Sequence, residues 1–245
     1  MMDRPLRDQR IVLIGGSSGI GLETARVALG AGASVVVAGR NAERVERAER
    51  TLGKGAEAYR LDAMEAESVR AFFAHVGAHD HLSVFVPTTP NARVRAQLGR
   101  FPDTPGEAFG AVFASKFGAN LNCLYHGAPY VRGSIVLVTG QAHRKALPGY
   151  SAGAAANGAL ESLARTLALE LSPVRINAVA PGIVETPIVK AMPAEMYRSL
   201  AAKTAAQAVP RMGQAEEIAQ AILWLMANPY VTGAVLEVDG GYKLT

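Results

Sequence analysis

Ile11-Val12-Leu13-Ile14-Gly15-Gly16-Ser17-Ser18-Gly19-Ile20-Gly21-Leu22 is the stretch that decides the fold. An apolar run of strand character, Ile11–Ile14, enters a glycine-rich turn, and a helix-like stretch from Leu22 to Leu29 leaves it. Strand, tight glycine turn and helix N-terminus in that order present backbone N–H groups and the positive end of a helix dipole to an anion. Gly15, Ser17, Ser18, Gly19, Ile20 and Gly21 are therefore expected to hold the pyrophosphate of a dinucleotide.

Outward from this loop, strand-like and helix-like segments alternate along the whole chain. Further strands are expected at Ser34–Ala38, Ala58–Leu61, Ser83–Val86, Ser134–Thr139, Arg175–Ala180 and Val235–Val238. They are rich in Val and Ile and mostly apolar on both faces, as buried parallel strands are. Helices are expected at Leu22–Gly30, Ala42–Leu52, Ala66–Val76, Glu107–Ala128, Gly153–Leu171 and Glu216–Ala227. This alternation predicts a single α/β domain: a doubly wound, Rossmann-type parallel sheet of about seven strands flanked by helices. Ligands then bind at the carboxyl ends of the strands.

The 245 residues are 49% hydrophobic and 19% charged, enough for one sizeable core. The first ten residues are polar and charged, so no secretory leader is expected, and no apolar run is long enough to span a bilayer. One cysteine, Cys123, rules out an internal disulfide, reads as a packed thiol in a helix, and fits a cytoplasmic protein. The net charge of +4 is spread out, and aromatics make up only 6% of the chain, which argues against nucleic acid as a partner. Arg93, Arg95 and Arg100 fall in a Pro/Gly-punctuated loop and read as solvated. His75, His79 and His81 lie near the turn before the fourth strand and read as surface residues. No His, Cys or carboxylate set has metal-ligand spacing, so no metal is expected.

The second strand sets the cofactor preference. An acidic residue at its end would accept bonds from the adenosine ribose hydroxyls and favour NAD; Gly39-Arg40 stands there instead. An arginine pairs with a 2′-phosphate, so NADP(H) is expected over NAD(H). Asp62, with Ala63 beside it, ends the third strand; it is suited to accept from the adenine amino group, to cap the following helix, or both. Pro181-Gly182-Ile183 and Thr186 follow the sixth strand and overlie the far half of a dinucleotide, where Thr186 would bond the nicotinamide amide or a phosphate. Residues 187–209, rich in Ala and Met and bounded by prolines, read as a substrate lid. Met192, Met196 and Tyr197 within it point to an apolar small-molecule substrate.

These features together resemble the short-chain dehydrogenase/reductase family over essentially the whole chain. The resemblance is carried by Gly15–Gly21, Leu61-Asp62, Arg165–Leu171 running into Pro173–Val179, Pro181-Gly182…Thr186, and Thr232-Gly233…Val238-Asp239-Gly240-Gly241. It implies a homodimer or homotetramer, and a Tyr-x-x-x-Lys pair on the helix expected over 153–171. In the family the Tyr donates a proton while the Lys holds the ribose and lowers the Tyr pKa. A Ser after the fifth strand and an Asn on the preceding helix complete the set.

Mapped through those motifs, the four positions are occupied by Gly140 (Ser), Gly153 (Tyr), Asn157 (Lys) and Lys116 (Asn). No tyrosine in the chain has a lysine four residues later. The turn usually reading Asn-Asn-Ala-Gly reads Pro87-Thr88-Thr89-Pro90. The exchange looks reciprocal: Lys116 would restore a cation near the ribose, and Asn157 would bond a hydroxyl. For a proton donor the candidates are Tyr150, His143, Lys145 and Ser151. Gly140 and Gly153 leave extra room for a ligand. Three functions follow: an NADP(H)-dependent oxidoreductase of a carbonyl or alcohol with a non-standard relay, a redox-silent NADP-binding protein, or a scaffold for non-redox chemistry such as cyclisation.

Overall fold

The computed structural model describes residues 6–86 and 91–245. The strands are β1 (Arg10–Ile14), β2 (Ser34–Gly39), β3 (Ala56–Arg60), β4 (His79–Val84), β5 (Val131–Val138), β6 (Arg175–Pro181) and β7 (Val235–Val238). They form one parallel sheet in the order β3-β2-β1-β4-β5-β6-β7. The direction of winding reverses between β1 and β4, and a crevice opens at the carboxyl ends of strands at such a switch point.

Alternation along each strand builds the two faces of the core. Val12 and Ile14 of β1 face one side, with Leu82 and Val84 of β4 and Ile135 and Leu137 of β5. There they meet α3 (Ala66–Val76), α6 (Ala119–Gly127) and α7 (Ser151–Glu170). Ile11 and Leu13 face the other side, against α1 (Gly19–Gly30) and α10 (Ala215–Ala227). The remaining helices are α2 (Ala42–Leu52), α4 (Ala92–Ala96), α5 (Gly106–Phe113), α8 (Pro187–Lys190) and α9 (Ala194–Ala205). Among the described residues no helix is long and apolar enough to cross a membrane.

The sheet and its winding match the sequence expectation; several local features differ. The fourth strand runs His79–Val84, not Ser83–Val86, so His79 and His81 are buried strand residues rather than surface ones. His81 is tolerated inside because both ring nitrogens find partners, Ser134 Oγ at 2.8 Å and Gln9 Oε1 at 2.6 Å. Burial holds its pKa down at about 4. His75, on the last turn of α3, is exposed as expected. The helix expected over 107–128 is interrupted: α5 and α6 are joined by one π-helical turn, Ala114–Gly118. Cys123 is buried in α6, and burial pushes its thiol up to about 12. The loop carrying Arg93 and Arg95 includes α4, whose Asn91 cap accepts from the Val94 N–H. Asp62 does not cap α3. The N-cap is Glu65, and Asp62 Oδ1 instead accepts from the Met64 N–H at 3.1 Å. Pro87–Pro90 lies outside the described residues.

Candidate active site

β1 delivers the chain into a turn that only glycines can make. Gly15 has φ +86°, and a Cβ there would lie 2.5 Å from the Phe85 carbonyl oxygen. A Cβ on Gly21 would lie 2.5 Å from the Gly15 oxygen, and one on Gly16 would meet Val37 at 2.9 Å. The Gly15 N–H donates to the Ala38 carbonyl, so the turn is wound tightly between β1 and β2. Ser18 stands at the N-cap of α1 with no side-chain cap bond, and the first turn of α1 carries no acid. Its N–H groups and dipole are thus left to an external anion.

Two other segments close on this loop. A Cβ on Gly39 would lie 2.5 Å from Ser17 Oγ, so the Ser17 hydroxyl rests against the end of β2, next to exposed Arg40. On the other side, Thr186 lies across from Gly19, with its Cγ2 3.7 Å from where a Cβ would be. Gly182 sits where a side chain would strike the backbone of Asp239, pinning the Pro181-Gly182-Ile183 turn beside the end of β7. The Ala63 carbonyl accepts from Asn122 Nδ2 of α6 at 3.1 Å, fixing the turn after β3. These segments lie together along the carboxyl edge of the sheet. The residues fit a dinucleotide: a helix N-terminus with no side-chain cap, a glycine cradle, and the Ser17 hydroxyl against the end of β2, the strand that Arg40 follows.

The reacting end would lie beyond β4 and β5. Lys116 sits in the π turn, which packs on α7. Its ammonium is almost fully buried and donates to the Val86 carbonyl at 3.0 Å and the Val138 carbonyl at 2.7 Å. Burial lowers its pKa to about 8. The widened turn is stabilised by Asn120, whose Nδ2 donates to the Lys116 carbonyl at 2.6 Å. Gly140 and Asn157 are neighbours, since a Cβ on Gly140 would lie 3.2 Å from Asn157 Nδ2. Asn157 is buried, and its Oδ1 has no hydrogen-bond partner. Gly153 is buried one turn earlier on α7. The helix itself, Ser151–Glu170, contains neither tyrosine nor lysine.

The other candidate donors fare unequally. Lys145 is committed elsewhere: its Nζ donates to the Tyr242 carbonyl at 2.9 Å and to that of Thr245, over the Tyr242 ring. His143 is held between the Gly140 carbonyl (Nδ1, 3.1 Å) and Glu161 (Nε2, 3.0 Å). Tyr150 is the N-cap residue of α7 and half-exposed, and Ser151 opens that helix. Sequence reasoning missed Glu161. Its buried carboxylate accepts from Thr139 at 3.0 Å and from Arg144 at 2.5 Å, and Arg144 reaches on to Glu237 of β7 at 2.7 Å. Only its place on the sheet-facing side of α7 marks it in the sequence.

The family described as Enoyl-(Acyl carrier protein) reductase matches residues 15–243. Similar proteins include the cis-4-hydroxycyclohexanecarboxylate dehydrogenase of Sinomonas cyclohexanicum, 32% identical over 98% of this chain and 99% of that one. The chain belongs to the short-chain dehydrogenase/reductase family. Mouse (Mus musculus) L-xylulose reductase is another relative, 30% identical over the full length of both proteins. A solved small-chain dehydrogenase in complex with NADPH aligns with a TM-score of 0.77 and 30% identity, over 97% of this chain and all of that one. This short-chain dehydrogenase/reductase thus shares its fold with proteins described as dehydrogenases and reductases.

Proposed function

We propose that the protein is an NADP(H)-dependent oxidoreductase that interconverts a carbonyl and an alcohol through a proton relay other than a Tyr-x-x-x-Lys pair. The observation that carries the reading is the cofactor cradle: Gly15, Gly16 and Gly21 packed against backbone, with α1 uncapped above them. The preference for NADP(H) rests on the Ser17–Gly39–Arg40 corner, where a hydroxyl and a guanidinium suit a 2′-phosphate. The NADPH complex of a 30% identical neighbour supports it. A bound nicotinamide supplies or accepts the hydride. Arg40 and Ser17 hold the adenosine end, Asp62 and Ala63 flank the adenine, and the turn Pro181-Gly182-Ile183 with Thr186 holds the far half.

In this reading Lys116 provides the buried cation and Asn157 Oδ1, unpartnered in the protein, accepts from a ribose hydroxyl. Tyr150, half-exposed at the N-cap of α7, or water admitted beside Gly140 and Gly153 returns the proton. Segment 187–209 covers the substrate, and the chain acts as a cytoplasmic homodimer or homotetramer. The test is oxidation of NADPH across a panel of apolar aldehydes and ketones. Carbonyl-dependent turnover is expected, falling about tenfold or more in Lys116→Met, since a hydrogen bond from a charged group contributes roughly 1.5–3 kcal/mol. NADPH binding with no turnover on any carbonyl would instead favour a redox-silent NADP(H)-binding protein. One observation already leans that way: α7 carries Gly153 and Asn157 and no Tyr or Lys.

A further inference from the structure

A cavity of about 570 Å³ opens between the segment 98–103 and the loop that joins β5 to α7. Its size falls within the range of roughly 300–1,000 Å³ common for small-molecule sites. Phe101, Leu147, Pro148 and Ala154 give it apolar walls. Phe101 is unusually open for an aromatic ring, 70% exposed, and rests edge-on against Phe109. Ala154 lines it too, one helical turn before Asn157. His143, which also lines the cavity, bonds the Gly140 carbonyl, so the cavity lies beside the Gly140–Asn157 contact.

Its charge is one-sided. No Asp or Glu lines it, and its two ionisable lining groups are Arg100 and His143. His143 is occupied by Glu161 and the Gly140 carbonyl. Among the described residues the Arg100 guanidinium has no hydrogen bond or ion pair; only its backbone carbonyl is used, by Asp103 and Thr104. A lining arginine whose guanidinium is unpaired, among apolar walls, is complementary to a carboxylate on an apolar body, which the planar fork engages bidentately.

We infer that this cavity binds an amphipathic carboxylate, its head on Arg100 and its apolar part along Phe101 and Leu147 toward Ala154. The inference rests on the oxidoreductase reading only in making this molecule the substrate class; binding itself does not depend on it. Calorimetric titration with octanoate, octanamide, octylamine and octyl phosphate tests it, with and without saturating NADPH. Octanoate is expected to bind about tenfold or more tighter than octanamide, with octylamine weakest. Arg100→Gln is expected to abolish that preference while leaving octanamide unchanged. Ala146→Phe, on the exposed rim of the same cavity, is expected to weaken both.

Equal binding of octanoate and octanamide, or octanoate unaffected by Arg100→Gln, would overturn the carboxylate site. Tighter binding of octyl phosphate would move the head-group assignment to a phosphate and overturn it as stated. Octanoate unaffected by Ala146→Phe would place any binding outside this cavity. NADPH binding without a charge preference removes this inference and leaves the cofactor reading. A charge preference without NADPH binding does the reverse.

Discussion

Lys116 is a lysine buried almost completely at the ends of β4 and β5. It places an ammonium in a dry position with two backbone carbonyls and no carboxylate, where burial favours the neutral amine. A lysine with pKa about 8 in the fold and about 10.5 when unfolded binds fewer protons folded than unfolded between those values. Stability must then rise with pH across that window, because the unfolded chain binds more protons there. Below about pH 8 the full cost of the buried charge is present; above about pH 10.5 it is gone. Urea unfolding of wild type and Lys116→Met from pH 7 to 10.5 should show wild type gaining on the variant by up to about 3 kcal/mol. A constant difference would mean that Lys116 is not depressed. Lys116 and Asn157 could be singled out in the sequence through the flanking motifs. Their surroundings, two carbonyls for one and an unpartnered Oδ1 for the other, were not, because both depend on strand ends brought together only by folding.

At the scale of elements, the loop between β5 and α7 is held by a buried network rather than by its own sequence. Glu161 accepts from Thr139 at its start and pairs with His143 and Arg144 within it, and Arg144 ties it to β7. Glu161→Gln would leave Arg144 without one of its two carboxylates and His143 with no carboxylate beside its Nε2. Arg144 keeps Glu237 and its side chain is 27% exposed, so the loss is set at about 2 kcal/mol, below that of a fully buried broken pair. A lowered urea midpoint with unchanged slope checks this; an unchanged midpoint would show that the network adds no stability. Element type was readable wherever Val and Ile dominate, as in β1 and β2. It was obscured where polar residues are buried with partners. His79-Asp80-His81 does not look like a strand, yet His81 is satisfied by Ser134 and Gln9, which are distant in sequence. The π turn has no local signature either; Ala114–Gly118 continues the helical pattern, and the extra residue shows only in three dimensions.

Across the whole molecule, the winding reversal between β1 and β4 brings the glycine loop, the end of β2 and the turn after β6 to one edge of the sheet. The alternating segments predicted that architecture because parallel strands buried on both faces leave a strong apolar signal. Family membership follows from motifs spread over residues 15–243. The position of the cavity beside Phe101 and Leu147 was hidden, since it forms between two loops whose contact no sequence pattern records. What the assembled edge does depends first on the cofactor it takes. Purified protein titrated with NADPH and with NADH, followed by nucleotide fluorescence, tests this most directly, with Arg40→Asp measured alongside. The account predicts NADPH binding about tenfold or more tighter than NADH, and loss of that preference in Arg40→Asp mainly through weaker NADPH binding. Equal affinity for the two nucleotides, or equal losses in the variant, would contradict the 2′-phosphate assignment. Binding of neither would contradict the cradle itself.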